Sequence, residues 1–261
     1  MRNRLAICLA CALLSPALAA PKPTALGEII TALDGVDDDA AARSATALGD
    51  RPEPMAHEAL LDALAWGVAS DVAAPAIAAL AKHPAPPDLA LLRRYAGHHD
   101  AAVRSAALAA LALYPDPIAR NAIAQALRDP NATVRAAAAQ AAVKGHVKAA
   151  IDPLFALLGL GEDSAGKALA AMADAELVRR IGDQLGKVPD PALASCLGLI
   201  LLRPDFGPDT ERVEVVRALA KISDASATAA LTDYINATPA NPPRASRAEA
   251  VKIVEARGAA T

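Results

Sequence analysis

Five histidines, three cysteines and a triplet of aspartates are the residues of this chain best suited to chemistry. His57, His83, His98, His99 and His146 could bind a metal or carry protons, since imidazole titrates near neutrality. Their spacing offers neither the helical His pair of a zinc hydrolase nor a closing Cys-x-x-Cys within residues 20–261. His98 and His99, followed by Asp100, are expected as solvated loop residues. Ser44, Ser105, Ser164 and Ser195 lie in helical patterns and lack the strand-turn-helix setting of a nucleophile elbow. The segment "GLGED" (159–163) has two glycines but no following Lys-Ser or Lys-Thr to cradle phosphate, and it reads as a helix stop. Asp37, Asp38 and Asp39 lack the spaced ligands and glycine of a calcium loop; they are expected to open a helix at 40. No catalytic residue, metal site or cofactor is assigned.

The elements that would position these residues announce themselves through composition. The chain is 54% hydrophobic but only 2% aromatic, and about a quarter of it is alanine. A core filled with so little bulk implies many helices in close contact. The first nineteen residues differ: Arg2 and Arg4, an apolar run from Leu5 to Leu14, Pro16, then Ala17-Leu18-Ala19. These are the regions of a secretory signal peptide, with cleavage expected after Ala19 and a periplasmic or extracellular destination. A lipidated Cys11 is the rival reading. Cleavage removes Cys8 and Cys11 and leaves Cys196 alone, expected as a buried inert thiol. No segment is long and apolar enough to span a bilayer.

Residues 20–261 read as a single domain with an internal period. "DAAVRSAALAAL" at 100–111 returns as "NATVRAAAAQAA" at 131–142. With Arg104 as origin, Val103, Ala107, Ala110 and Leu111 share one helical face, and Arg135 carries the same frame. Stepping away by 30–32 residues gives further frames at Ala73, Ala41 and Ala165. A second apolar helix pattern separates each pair of frames, and no run alternates with the two-residue period of a half-buried strand. The expected fold is all-α: a right-handed solenoid of about seven antiparallel helix pairs, regular over 24–173 and less regular over 174–258. Arg212 and Arg247 look like later frames, which leaves a distorted sixth repeat. The loops at 203–209 and 236–246 read as connectors.

"HHDAAVRSAALAAL" and "DPNATVRAAAAQAA" resemble HEAT repeats, in particular the short HEAT-like type of phycobilisome lyases. That resemblance implies a structural ladder in which arginine bonds to aspartate, with Asp100, Arg104, Asp129 and Arg135 in the matching places. It also implies the alternative to a binding role, an accessory subunit of an enzyme or a lyase-like protein.

The leading expectation is a non-catalytic protein-interaction scaffold that binds through its concave face. Residues opposite the core positions of the second helices would face a partner. They include Ser105, Ala106, Ala109, Gln140, Lys144, Lys167, Ala170, Arg217 and Lys221. Gln140, Lys144, Lys167, Arg217 and Lys221 form the candidate strip, suited to an acidic or amphipathic protein segment. Nucleic acid is not expected, because the net charge is −3 and aromatic stacking platforms are scarce.

Overall fold

The computed structural model describes residues 25–259, so the signal-peptide reading of 1–19 lies outside the described residues. Fifteen α-helices and one short 3-10 turn make up the described residues, with no strand among them. Seven antiparallel pairs follow in order. They are α1 (Leu26–Leu33) with α2 (Asp38–Gly49), α3 (Pro54–Trp66) with α4 (Ser70–Leu80), and α5 (Asp88–Tyr95) with α6 (Ala101–Leu111). Next come α7 (Pro117–Ala126) with α8 (Ala132–Lys144) and α9 (Ile151–Gly159) with α10 (Asp163–Met172). The last two are α11 (Ala175–Gly182) with α12 (Asp190–Leu202) and α13 (Asp209–Ala220) with α14 (Ala225–Ala237), after which α15 (Ala245–Gly258) closes the stack.

Side chains and prolines set the helix starts. Asp37, Asp100, Asp116, Asn131, Asp174 and Asp224 each accept a hydrogen bond from a first-turn amide of the helix they precede. Such a cap satisfies donors that have no partner within the helix. Pro54, Pro117 and Pro191 occupy first-turn positions, where the missing N–H costs nothing. Helix α4 starts after Ala69 with no side-chain cap.

The seven second helices carry one frame at a strict interval of 31 residues: Ala42, Ala73, Arg104, Arg135, Gly166, Leu197 and Thr228. The residue before each frame position and the residue three after it are buried in every repeat, from Ala41 and Ala45 to Ala227 and Leu231. The sequence-derived frames at Ala41 and Ala165 are therefore each one residue early. Arg212 and Arg247 are not second-helix frames at all, since they lie on α13 and α15. The seventh repeat follows the sixth in register, and the sixth is not lengthened.

Successive second helices lie against one another along their lengths, whereas successive first helices barely touch. Small residues permit this approach. A Cβ on Gly49 would stand 2.7 Å from Cα of Ala79, and one on Gly198 would stand 2.8 Å from Cβ of Ala230. An array whose two rows are unequally spaced bends toward the closer row, so the second helices line the concave side. Beyond the seventh pair, α15 packs on α13 and α14 through Ala250 and Ser246 and turns Lys252 and Glu255 to solvent.

Candidate functional site

Two arginines on second helices reach forward into the following repeat. Arg104 holds Asp129 with both arms of its fork, at 2.8 Å from Nε and 2.9 Å from Nη2, and its Nη1 donates to the carbonyls of His98 and His99. Arg135 repeats the arrangement with Glu162, at 2.8 Å from Nε and 2.5 Å from Nη2, while Nη1 donates to the carbonyls of Asp129 and Pro130. Each guanidinium thus closes its own repeat's turn and ties it to the next. Burial alone would raise the Asp129 carboxyl. Hydrogen bonds from Arg104 and the Asn131 amide, with the charges of Arg104 and Arg135, outweigh it and hold the group below the usual carboxylate range.

Of the four ladder residues expected from the sequence, Arg104, Asp129 and Arg135 stand in this connection and Asp100 does not. Asp100 caps α6, accepting from the amides of Ala102 and Val103. The reason lies one repeat earlier: the ladder runs forward, and the preceding frame residue is Ala73, which has no guanidinium to offer. Glu162, the partner of Arg135, sits four residues before Gly166 as Asp100 sits four before Arg104. Asp129, by contrast, sits six residues before Arg135, so the two acidic partners share no single register that the sequence could have shown.

The candidate strip divides. Gln140 and Lys144 of α8 and Lys167 of α10 are exposed on the second-helix wall, Lys167 paired with Asp163 at 2.6 Å. Arg217 and Lys221 are not on that wall. Arg217 lies on α13, a first helix, where it meets Glu214 at 3.1 Å and Glu249 at 3.8 Å, and Lys221 follows the same helix. The mistaken frame at Arg212 placed them there. Ala170 is buried, because Gly166 rather than Ala165 sets the register of α10. What the wall presents instead is a column five residues after each frame position: Ala47, Ala78, Ala109, Gln140, Ala171, Leu202 and Asp233. All but Ala47 are exposed, and five of the seven are apolar.

A buried polar cluster escapes notice in the sequence. Asp88, in the first turn of α5, has no solvent exposure. Its carboxylate accepts from Tyr114 Oη at 2.7 Å and from the Ala85 amide at 2.9 Å, and it lies 2.9 Å from His57 Nε2. Burial first, and then Asp88 itself, push the Tyr114 phenol well above its ordinary value. The cluster joins α3, α5 and the turn after α6, and the closure of Asp88 to solvent suits a structural tie. Among the other histidines, His98 stacks against Tyr95 at 5.8 Å and meets the His99 ring at 4.2 Å in a tilted contact. Cys196 is fully buried, and burial raises its thiol to about 12, so almost none of it is thiolate at neutral pH. Among the described residues no three His, Cys, Asp or Glu side chains converge to hold a metal ion. No helix among them is long and apolar enough to cross a membrane.

Stacked helix pairs, a forward-reaching arginine ladder and a smooth inner wall define an α-solenoid of short helical repeats. A family model for HEAT repeats matches residues 58–143 and again 89–175. Over residues 58–175 the chain is built of HEAT repeats. Among solved structures it resembles the complex of CpcE and CpcF of phycocyanin lyase from Nostoc, at 17% identity and a TM-score of 0.50, over 94% of this chain and 98% of that one. It also resembles a mutant of Kap121p at 15% identity and a TM-score of 0.52; 88% of this chain aligns with 29% of that longer one. At these identities the likeness is one of fold. Comparison with curated protein sequences finds no match.

Proposed function

We propose that the protein is a non-catalytic scaffold, exported from the cytoplasm, that seats a protein segment along its second-helix wall. The observation that carries this reading is a column at 31-residue steps along that wall in which Ala78, Ala109, Ala171 and Leu202 present exposed apolar side chains, interrupted by Gln140. Such a surface lets a partner's backbone or helix approach closely, and little side-chain entropy is lost when it is covered. The similar CpcE–CpcF structure is a complex of two proteins, and that pairing supports a role in binding another protein. The composition of residues 1–19 supports export.

A photo-crosslinking residue placed at Ala109 or Ala171, on the wall, tests the reading against the same group at Glu58 on α3. A discrete adduct from the wall positions alone is expected. Equal adducts from both faces would sink the assignment. A bound chromophore or turnover by the purified protein would favour a lyase-like accessory role. Sequencing of the mature N-terminus is expected to begin at Ala20; a lipidated Cys11 would overturn export as a free protein.

A further inference from the structure

The first helices stand apart, and between α5 and α7 on the convex side they leave a cleft of about 640 Å3. Arg93 of α5 and Arg128, just past α7, line it together with Ile118, Asn121 and Gln125 of α7. The last three fall on one face of that helix, three and four residues apart. Asp129 also borders the cleft, but both of its oxygens are engaged by Arg104. A second cleft of about 390 Å3 continues the first, sharing Arg93 and Ile118 and otherwise lined by Pro86, Pro87, Leu89 and Ala90.

The groove thus has an apolar end and a cationic, amide-bearing end. Arg93, Asn121, Gln125 and Arg128 are all exposed, and no side-chain hydrogen bond or ion pair to another described residue engages them. The neighbouring Arg94 is different, since it donates to the carbonyl of Leu64. Two unengaged guanidiniums ask for carboxylates, which they grip with a planar fork. Two carboxamides four residues apart can each give a donor and an acceptor to a passing main chain, a pattern that a polypeptide matches and a small anion does not. Pro86, Leu89 and Ile118 would cover an apolar side chain. Helix α7 has ten residues, about 15 Å of length, which accommodates roughly four or five residues of extended chain.

We propose that the α5–α7 groove is a second docking site, on the face opposite the second-helix wall, for an extended acidic polypeptide segment with an apolar residue at one end. The scaffold would then hold one partner inside its curve and another outside it. This groove does not depend on the concave reading, and its test is separate.

The probe is a fluorescent six-residue peptide of two leucines followed by alternating glutamate and glycine, titrated with the full chain by anisotropy. Saturable binding is expected. Arg93→Glu with Arg128→Glu should weaken it roughly tenfold or more, the loss of two charge-assisted contacts. Asn121→Ala with Gln125→Ala, which leaves the charge intact, should weaken it several-fold and carries the test should the arginine pair unfold the protein. Arg179→Glu with Lys187→Glu, on and just after α11, is the charge-matched control and should bind as the parent does. Equal binding by all three variants would overturn the site. Equal binding of a lysine-for-glutamate peptide would overturn its charge preference. Displacement by low millimolar inorganic phosphate would reduce it to a general anion site. None of these outcomes bears on crosslinking at Ala109.

Discussion

At the scale of single residues, the polar side chains that matter are those tied across repeats. Arg104 and Asp129 are mostly buried, and a hydrogen bond to a charged group of this kind contributes about 1.5–3 kcal/mol. Arg104→Ala should therefore lower the melting temperature by several degrees while leaving the helical signal intact. The Asp129 carboxyl also predicts a pH dependence. Its folded pKa lies below its unfolded one, so its stabilisation is full above the unfolded value, about 3.9, and is lost as pH falls through the folded value. Asp129→Asn should be less stable than the parent at pH 7 and lose less stability on acidification toward pH 3. Parallel melting curves for the two proteins would place the acid sensitivity elsewhere. Asp88 allows a second prediction. Asp88→Ala would leave Tyr114, the Ala85 amide and His57 without their acceptor, a loss on the order of 3 kcal/mol, read as a shift in the urea midpoint.

Helices in this molecule are joined through two devices, close approach and arginine capping. Arginine appears repeatedly at helix C-termini, where carbonyls lack partners within the helix. Arg94 donates to Leu64, Arg203 to Ala170 and Ala173, Arg247 to Thr238, and Arg257 to Leu219, Ala220 and Ile222. Arg212, only 5% exposed, donates to the carbonyls of Leu201, Arg203 and Phe206 and folds the 203–208 connector around itself. Close approach makes a prediction of opposite signs at two glycines. Gly49→Ala would push a methyl against the backbone of α4 and should destabilise by about 1–3 kcal/mol. A Cβ on Gly182, at the end of α11, would meet nothing within 4 Å, so Gly182→Ala should leave stability unchanged or raise it by up to about 1 kcal/mol. Thermal melts of the two variants moving in the same direction would contradict this account.

The same devices explain what the sequence made legible. The third and fourth repeats declare themselves because valine, arginine and alanine coincide at Val103-Arg104 and Val134-Arg135. The fifth to seventh frames are Gly166, Leu197 and Thr228, residues with no common chemistry, so only burial reveals the register. Arg212 and Arg247 imitate a frame because capping arginines also stand within apolar helical patterns. Two of the five strip residues left the wall for that reason. The Asp88 cluster stayed hidden because its members lie 26 and 31 residues apart from Asp88 and meet only when repeats stack.

For the whole molecule, stability is a chain of nearest-neighbour joints, since each repeat contacts only those beside it. The joints are not alike. The first and second repeats meet through Gly49, and the sixth and seventh through Gly198, both by close backbone approach. The second and third share the bond from Tyr95 to the Leu64 carbonyl at 2.7 Å and the His57–Asp88 contact. The third, fourth and fifth depend on Arg104 and Arg135 in succession. The second-helix contacts there are made largely by alanine, which buries little apolar area per residue. Removing both guanidiniums should weaken two adjacent joints in the middle of the array while leaving the better-packed ends intact. In a linear system that is the condition for losing cooperativity. The parent is expected to unfold in urea through one transition, and Arg104→Ala with Arg135→Ala through two. Amides of α7 and α8 should then exchange with solvent ahead of those in α4 and α12. A single transition moved to lower urea, with uniform exchange, would mean that alanine packing alone couples the repeats and that the ladder adds stability without cooperativity.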